Sequence, residues 1–145
     1  MNRTDIIAEA RNWIGVPFIE QHRTKHGCDC AGLLIGIARS LGVGPKDEEI
    51  PPYRQVADGT MLGICDRFMQ RIKPSDAKPG DAVAIIYDRQ AQHLGILADY
   101  KWGGHSIIHA AANVRPPRVI EHRLMQHHRM QIVAAWVLPG VEWAS

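Results

Sequence analysis

Several things are scarce in this chain of 145 residues, and each scarcity removes a class of function. No stretch approaches the roughly 18 consecutive apolar residues that cross a bilayer, so no membrane span is expected. The N-terminus, Met1-Asn-Arg-Thr-Asp-Ile-Ile-Ala-Glu-Ala-Arg11, carries charges throughout and lacks the apolar stretch of a secretory signal. Synthesis in the cytoplasm without a signal peptide is therefore expected. Cysteine is limited to Cys28, Cys30 and Cys65, an odd set in a chain with no export signal, which argues against a disulfide framework. Charge of one sign is also scarce: 17 Lys and Arg stand against 15 Asp and Glu, and no basic run reaches five residues. A nucleic-acid partner is not indicated.

What is present suffices for one core. With 46% hydrophobic residues, 145 residues build one ordinary domain but not two, so 1–145 reads as a single domain with no repeats and no linker. Ile6, Ile7, Ala10, Trp13 and Ile14 share one face of a helix over Asp5 to Ile14, with Thr4 as N-cap and Gly15 and Pro17 as its stop. After a polar loop, Glu20 to Gly27, a second helix runs from Cys30 to Leu41 with Leu33, Leu34, Ile37 and Leu41 as its stripe. A third spans roughly Asp58 to Ile72. The period then becomes strand-like: Ala82 to Tyr87, His93 to Ala98, Ser106 to Ala111, Arg118 to His122 and Gln131 to Leu138. Helices first and strands later, on short connections, predict an α+β fold with an antiparallel sheet.

Chemistry concentrates at Asp29-Cys30-Ala31-Gly32. Asp29 is a good N-cap, which puts Cys30 in the first turn, where unpaired backbone N–H groups and the helix dipole favour a thiolate. The plain alternative is a small buried hydrophobe. His93 opens an alternating strand, and Gly95 on the same face leaves room beside its ring. His109 lies in the next strand, on the alternate face from Ile108. A capped Cys followed by two His in adjacent strands fits nucleophile, base and orienter. The arrangement depends on register: pairing His93 with His109 puts both on one face, whereas pairing Ala98 with His105 separates them.

Taken in order, Ala10-Arg-Asn-Trp-Ile-Gly-Val-Pro-Phe18, Cys28-Asp-Cys-Ala-Gly-Leu-Leu34, Lys78-Pro-Gly-Asp81, His93-Leu-Gly-Ile-Leu97 and Ile108-His-Ala110 resemble the motifs of the NlpC-type cell-wall cysteine peptidases. Cys28-Asp-Cys30 and the short chain are similar to the phage-tail and gene-transfer-agent branch. The resemblance implies a papain-like fold, with Cys30 as nucleophile, His93 as base and His109 as orienter, and no cofactor or metal. It implies a peptidoglycan stem peptide as substrate and other phage tail proteins as partners. Delivery to the wall would come with a tail or by lysis. It also assigns Phe18, Asp29, Ala31 and Gly95 to the substrate-facing wall. Two of these depart from the pattern. Many relatives carry Tyr at Phe18 and Ser at Ala31, and the Asp-Cys-Ser run binds a free stem-peptide amine there.

Two alternatives were weighed. Cys28 and Cys30 with His22 and His26 could hold zinc, but Cys-x-Cys is not the usual spacing of structural sites. A catalytically silent tail-assembly component would keep the fold without the reaction. His105, His122, His127 and His128 read as a polar edge and Cys65 as core. Trp13 and Trp136 read as packed, while Trp102 and Trp143 stay open as wall-sugar platforms.

Overall fold

The computed structural model describes residues 1–53, 59–87, 93–124 and 130–141. The chain begins with α1 (Arg3–Arg11), capped by Asn2, whose side chain accepts from the Asp5 amide while Asp5 returns a bond to the Asn2 amide. The helix therefore starts before the expected Thr4. The polar loop contains a small hairpin, β1 (Arg23–Thr24) and β2 (Gly27–Cys28), which leads directly into α2 (Cys30–Ser40). The third helix, α3 (Thr60–Phe68), is shorter than expected. Its predicted start at Asp58 lies outside the described residues, and its predicted last turn is instead strand β3 (Gln70–Ile72).

Five longer strands follow: β4 (Ala82–Tyr87), β5 (His93–Asp99), β6 (His105–Ala111), β7 (Arg118–Arg123) and β8 (Met130–Val137). Together with β3 they form a six-stranded sheet in the order β3-β8-β4-β5-β6-β7, antiparallel throughout. This is the expected α+β arrangement, with N-terminal helices laid on an antiparallel sheet.

Alternation along the strands sorts the two faces. Ala84, Leu94, Ile96, Ile108, Ala110, Val119 and Trp136 form the main core with Ile6, Ala10, Trp13, Leu33 and Ile37 of the helical layer. Full burial of an aliphatic side chain of this size stabilises by about 1.5–3 kcal/mol, so this layer supplies much of the folding free energy. Val83, Ile85, Leu97 and Ile107 point the other way and form a second, smaller core with Leu124. The layers are also tied by charge. Arg3 Nε lies 2.8 Å from Asp81 Oδ1 in a buried ion pair, and Asp81 Oδ2 accepts from the Lys78 amide to close the turn into β4. Arg11 makes two bonds to Glu121, which also accepts from Ser106 Oγ at 2.6 Å, joining α1 to the outer strands.

Candidate active site

Asp29 sets the start of α2. Its Oδ1 accepts from the Gly32 amide at 2.7 Å, as expected of an N-cap. Its Oδ2 accepts from the Gln21 amide at 2.7 Å, and the Tyr53 hydroxyl donates to both oxygens, at 2.9 and 2.8 Å. The carboxylate is completely buried. Each bond goes to a donor within the chain, so Asp29 holds the 20s loop and Tyr53 against the helix start. Gly32 is needed at this joint, because a Cβ there would collide with the His22 carbonyl oxygen.

Cys30 is the first residue of α2 and is only 1% exposed. The backbone N–H groups of Leu94, Ala31 and Cys30 itself face its sulfur and lower the thiol pKa, yet burial outweighs them and pushes it up to about 11. Burial thus opposes the thiolate stabilisation that the helix start provides. Met61 of α3 covers it, with its Sδ 3.8 Å from Cys30 Sγ. Burial also raises Cys28 and Cys65, each to about 12.

The Leu94 amide is available to the sulfur because of how the sheet opens. The β5–β6 pairing runs from Asp99–His105 to Ile96–Ile108 and, among the described residues, does not extend to Gly95, Leu94 or His93. This register differs by two residues from a direct His93–His109 pair. Extended by one rung, it would set Gly95 level with His109. A shift of two preserves side-chain parity, so His93 and His109 still share a face. Their rings stand edge to face, 6.1 Å between centroids. The space expected beside Gly95 is closed, since a Cβ there would meet the Ile108 carbonyl at 2.8 Å and the Ile107 side chain at 2.9 Å. Gly95 serves close packing of the two strands.

His93 is partly buried, and burial lowers its pKa below the usual histidine value. His109, 8% exposed, is lowered to about 3, chiefly by burial and then by the neighbouring His122 and His93. Both rings are therefore neutral at neutral pH. His122, half-buried on the edge strand β7 as a partly packed polar residue, lies against His109, Nε2 to Nε2 at 2.9 Å. The pairing His109–Ile120 and Ile107–His122 makes the two histidines diagonal neighbours on one face. The parity of the Arg118 to His122 run was legible beforehand; the β6–β7 register that gives it meaning was not.

Other expected site residues are placed as follows. Phe18 is half-buried, with its amide donating to the Pro117 carbonyl, and Ala31 is buried in the first turn of α2. Trp13 and Trp136 are packed, and Trp102 is 71% exposed in the β5–β6 loop. His127, His128 and Trp143 lie outside the described residues. Among the described residues no group of three or more His, Cys, Asp or Glu side chains is arranged to hold a metal ion. No helix of these residues is long and apolar enough to cross a membrane.

Compared with solved structures, the chain has the papain-like fold of NlpC/p60 domains. It matches the NlpC/p60 domain of the peptidoglycan hydrolase SagA with a TM-score of 0.62 and 23% identity, over 95% of this chain and 100% of that one. An NlpC protein from Trichomonas vaginalis matches with a TM-score of 0.66 and 18% identity, over 94% of this chain and 44% of that one. An N-acetylmuramoyl-L-alanine amidase from Bacteroides uniformis matches with a TM-score of 0.63 and 12% identity, over 94% and 98%. The chain thus spans the whole SagA domain and less than half of the trichomonad protein. At these identities the likeness is one of fold. No family model matches the chain. No curated protein matches it.

Proposed function

We propose that this protein is a cysteine peptidase that hydrolyses amide bonds in the peptide stems of peptidoglycan, with Cys30 as nucleophile, His93 as base and His109 as its orienter. One observation carries the reading. The helix-start cysteine faces the Leu94 amide, the peptide N–H that directly follows His93, at a point where the sheet has opened. On this reading the nucleophile comes from α2 and the base from β5, two different elements.

His93 acts as the general base in this reaction. His93 takes the thiol proton as Cys30 Sγ attacks the carbonyl carbon, and the amide breaks when that proton is delivered to the leaving amine. Water then hydrolyses the thioester, with His93 again accepting a proton. The backbone N–H of Cys30, at the helix start, is the candidate donor to the substrate oxygen on which negative charge develops.

The chain's single-domain organisation over 1–145 belongs to the same proposal, as does its place of action. The Cys28-Asp-Cys30 run before the helix suits a phage or prophage tail-associated wall hydrolase, delivered with the tail or by lysis. A second reading, a catalytically silent tail-assembly component, draws on the near-complete burial of Cys30 beneath Met61. Digestion of purified peptidoglycan with wild type and Cys30→Ala, with products identified by mass, separates the two. New stem-peptide fragments from wild type alone are expected; identical product profiles would sink the enzyme reading.

A further inference from the structure

The line of imidazoles His93, His109 and His122 has a direction, and that direction is set outside the nucleophile, base and orienter. His122 Nδ1 lies 2.9 Å from the Arg123 carbonyl oxygen. A carbonyl only accepts, so in a neutral His122 ring the proton is on Nδ1 and Nε2 is a bare acceptor. His122 Nε2 is 2.9 Å from His109 Nε2, which must then be the donor. A neutral imidazole has one N–H. His109 Nδ1 is consequently bare, and it is buried with no hydrogen-bond partner.

We propose that His122 is a positioning residue: by accepting from His109 Nε2–H, it fixes His109 in the tautomer whose bare Nδ1 can receive an N–H from His93. The proposal rests on the reading of His93 as the base. For His93 to take a proton from Cys30, the ring nitrogen toward the sulfur must be bare, so the other one carries the proton and needs an acceptor. The opposite tautomer of His109 would present a donor there. His93 would then have to accept from it and would turn its own N–H toward the thiol. The His93 and His109 rings stand 6.1 Å apart in this state, and such contacts commonly tighten only when substrate is bound. The anchor of the relay is rigid, because Arg123 pairs with Ser106 in the sheet and its carbonyl cannot be a donor.

The experiment reads the tautomer directly. Long-range proton–nitrogen correlation spectra of the ¹⁵N-labelled full chain, at slightly alkaline pH, are expected to show the proton on Nε2 of His109 and on Nδ1 of His122. His122→Leu removes the acceptor and should leave His109 without a single fixed tautomer. On peptidoglycan, kcat should then fall by roughly tenfold to a hundredfold, the range seen when outer orienting partners are lost, with KM unchanged. His122→Gln puts an amide oxygen near the place of Nε2 and should restore both. A wild-type His109 protonated on Nδ1, or a His109 tautomer that ignores His122→Leu, overturns the proposal. The tautomer is read without substrate, so an inactive wild type would refute the peptidase reading and leave this measurement decisive on its own.

Discussion

Met61 Sδ sits 3.8 Å from Cys30 Sγ, so the second residue of α3 covers the first residue of α2 at the sulfur. The thiol is covered on this side by an unbranched, adaptable side chain, alongside the backbone N–H groups of Leu94, Ala31 and Cys30.

Met61→Ala should therefore expose the sulfur and lower its pKa, and each unit of decrease raises the thiolate fraction about tenfold. The expected outcome is faster iodoacetamide labelling of Cys30 at neutral pH, with Cys28 and Cys65 slower in both proteins. Met61 is 2% exposed, and truncation of such a residue costs about 2–5 kcal/mol, so labelling belongs well below the melting transition of the variant. Unchanged labelling of Cys30 in a folded variant would show that Met61 does not gate it.

Asp29 offers a separation of structural from substrate roles. Asp29→Ala removes the α2 cap, a loss of about 1 kcal/mol, and leaves the Gln21 amide and Tyr53 hydroxyl without their acceptor, at roughly 1–3 kcal/mol each. Tyr53→Phe removes a single donor and should cost only about 1–2 kcal/mol. Denaturant midpoints measure both. Equal losses would mean that the cap and the loop bonds contribute little.

A substrate prediction follows from the same saturation. With the Asp29 oxygens committed internally, and with Phe18 and Ala31 supplying no hydroxyl, no polar group is left at these positions to hold a free amine. Stem peptides with a free or an acetylated N-terminus should be cleaved at similar rates, compared by kcat/KM. A strong preference for the free amine would require Tyr53 to yield its place on Asp29.

The His109 ring makes folding sensitive to acid. Its pKa is about 3 when folded and near 6.5 when unfolded, so between these values the unfolded chain binds a proton that the folded one refuses. The stabilising effect is complete above about pH 6.5 and declines as the pH falls toward 3, by at most roughly 1.4 kcal/mol per pH unit. Urea midpoints of wild type should fall more steeply between pH 6.5 and 4.5 than those of His109→Gln. Parallel curves would contradict the assignment.

Local chemistry was legible in the sequence and long-range register was not. Asp29 capping Cys30, the Gly42 stop, and the alternation of β4 through β8 all rest on neighbours a few residues apart. β3 was hidden because Phe68, Met69 and Ile72 continue a helical spacing, and only the pairing of Gln70 to Ile72 with β8 turns them into strand. Cys30 shows the limit most clearly. Its helix-start environment is readable, but the burial that raises its pKa is long-range, as its contact with Met61, 31 residues further on, shows. His122 carries no signal in the sequence, because an imidazole on an edge strand gains a role only from its cross-strand neighbour.

The pairing of β5 with β6 stops at Ile96–Ile108, short of the strand's own beginning. One or two more rungs would give a more cohesive hairpin and turn the Leu94 amide onto a carbonyl of β6. The sulfur would lose that donor. Cohesion and reactivity thus compete for the same few backbone groups. Substitutions that strengthen this hairpin should make the protein harder to unfold and poorer at its chemistry.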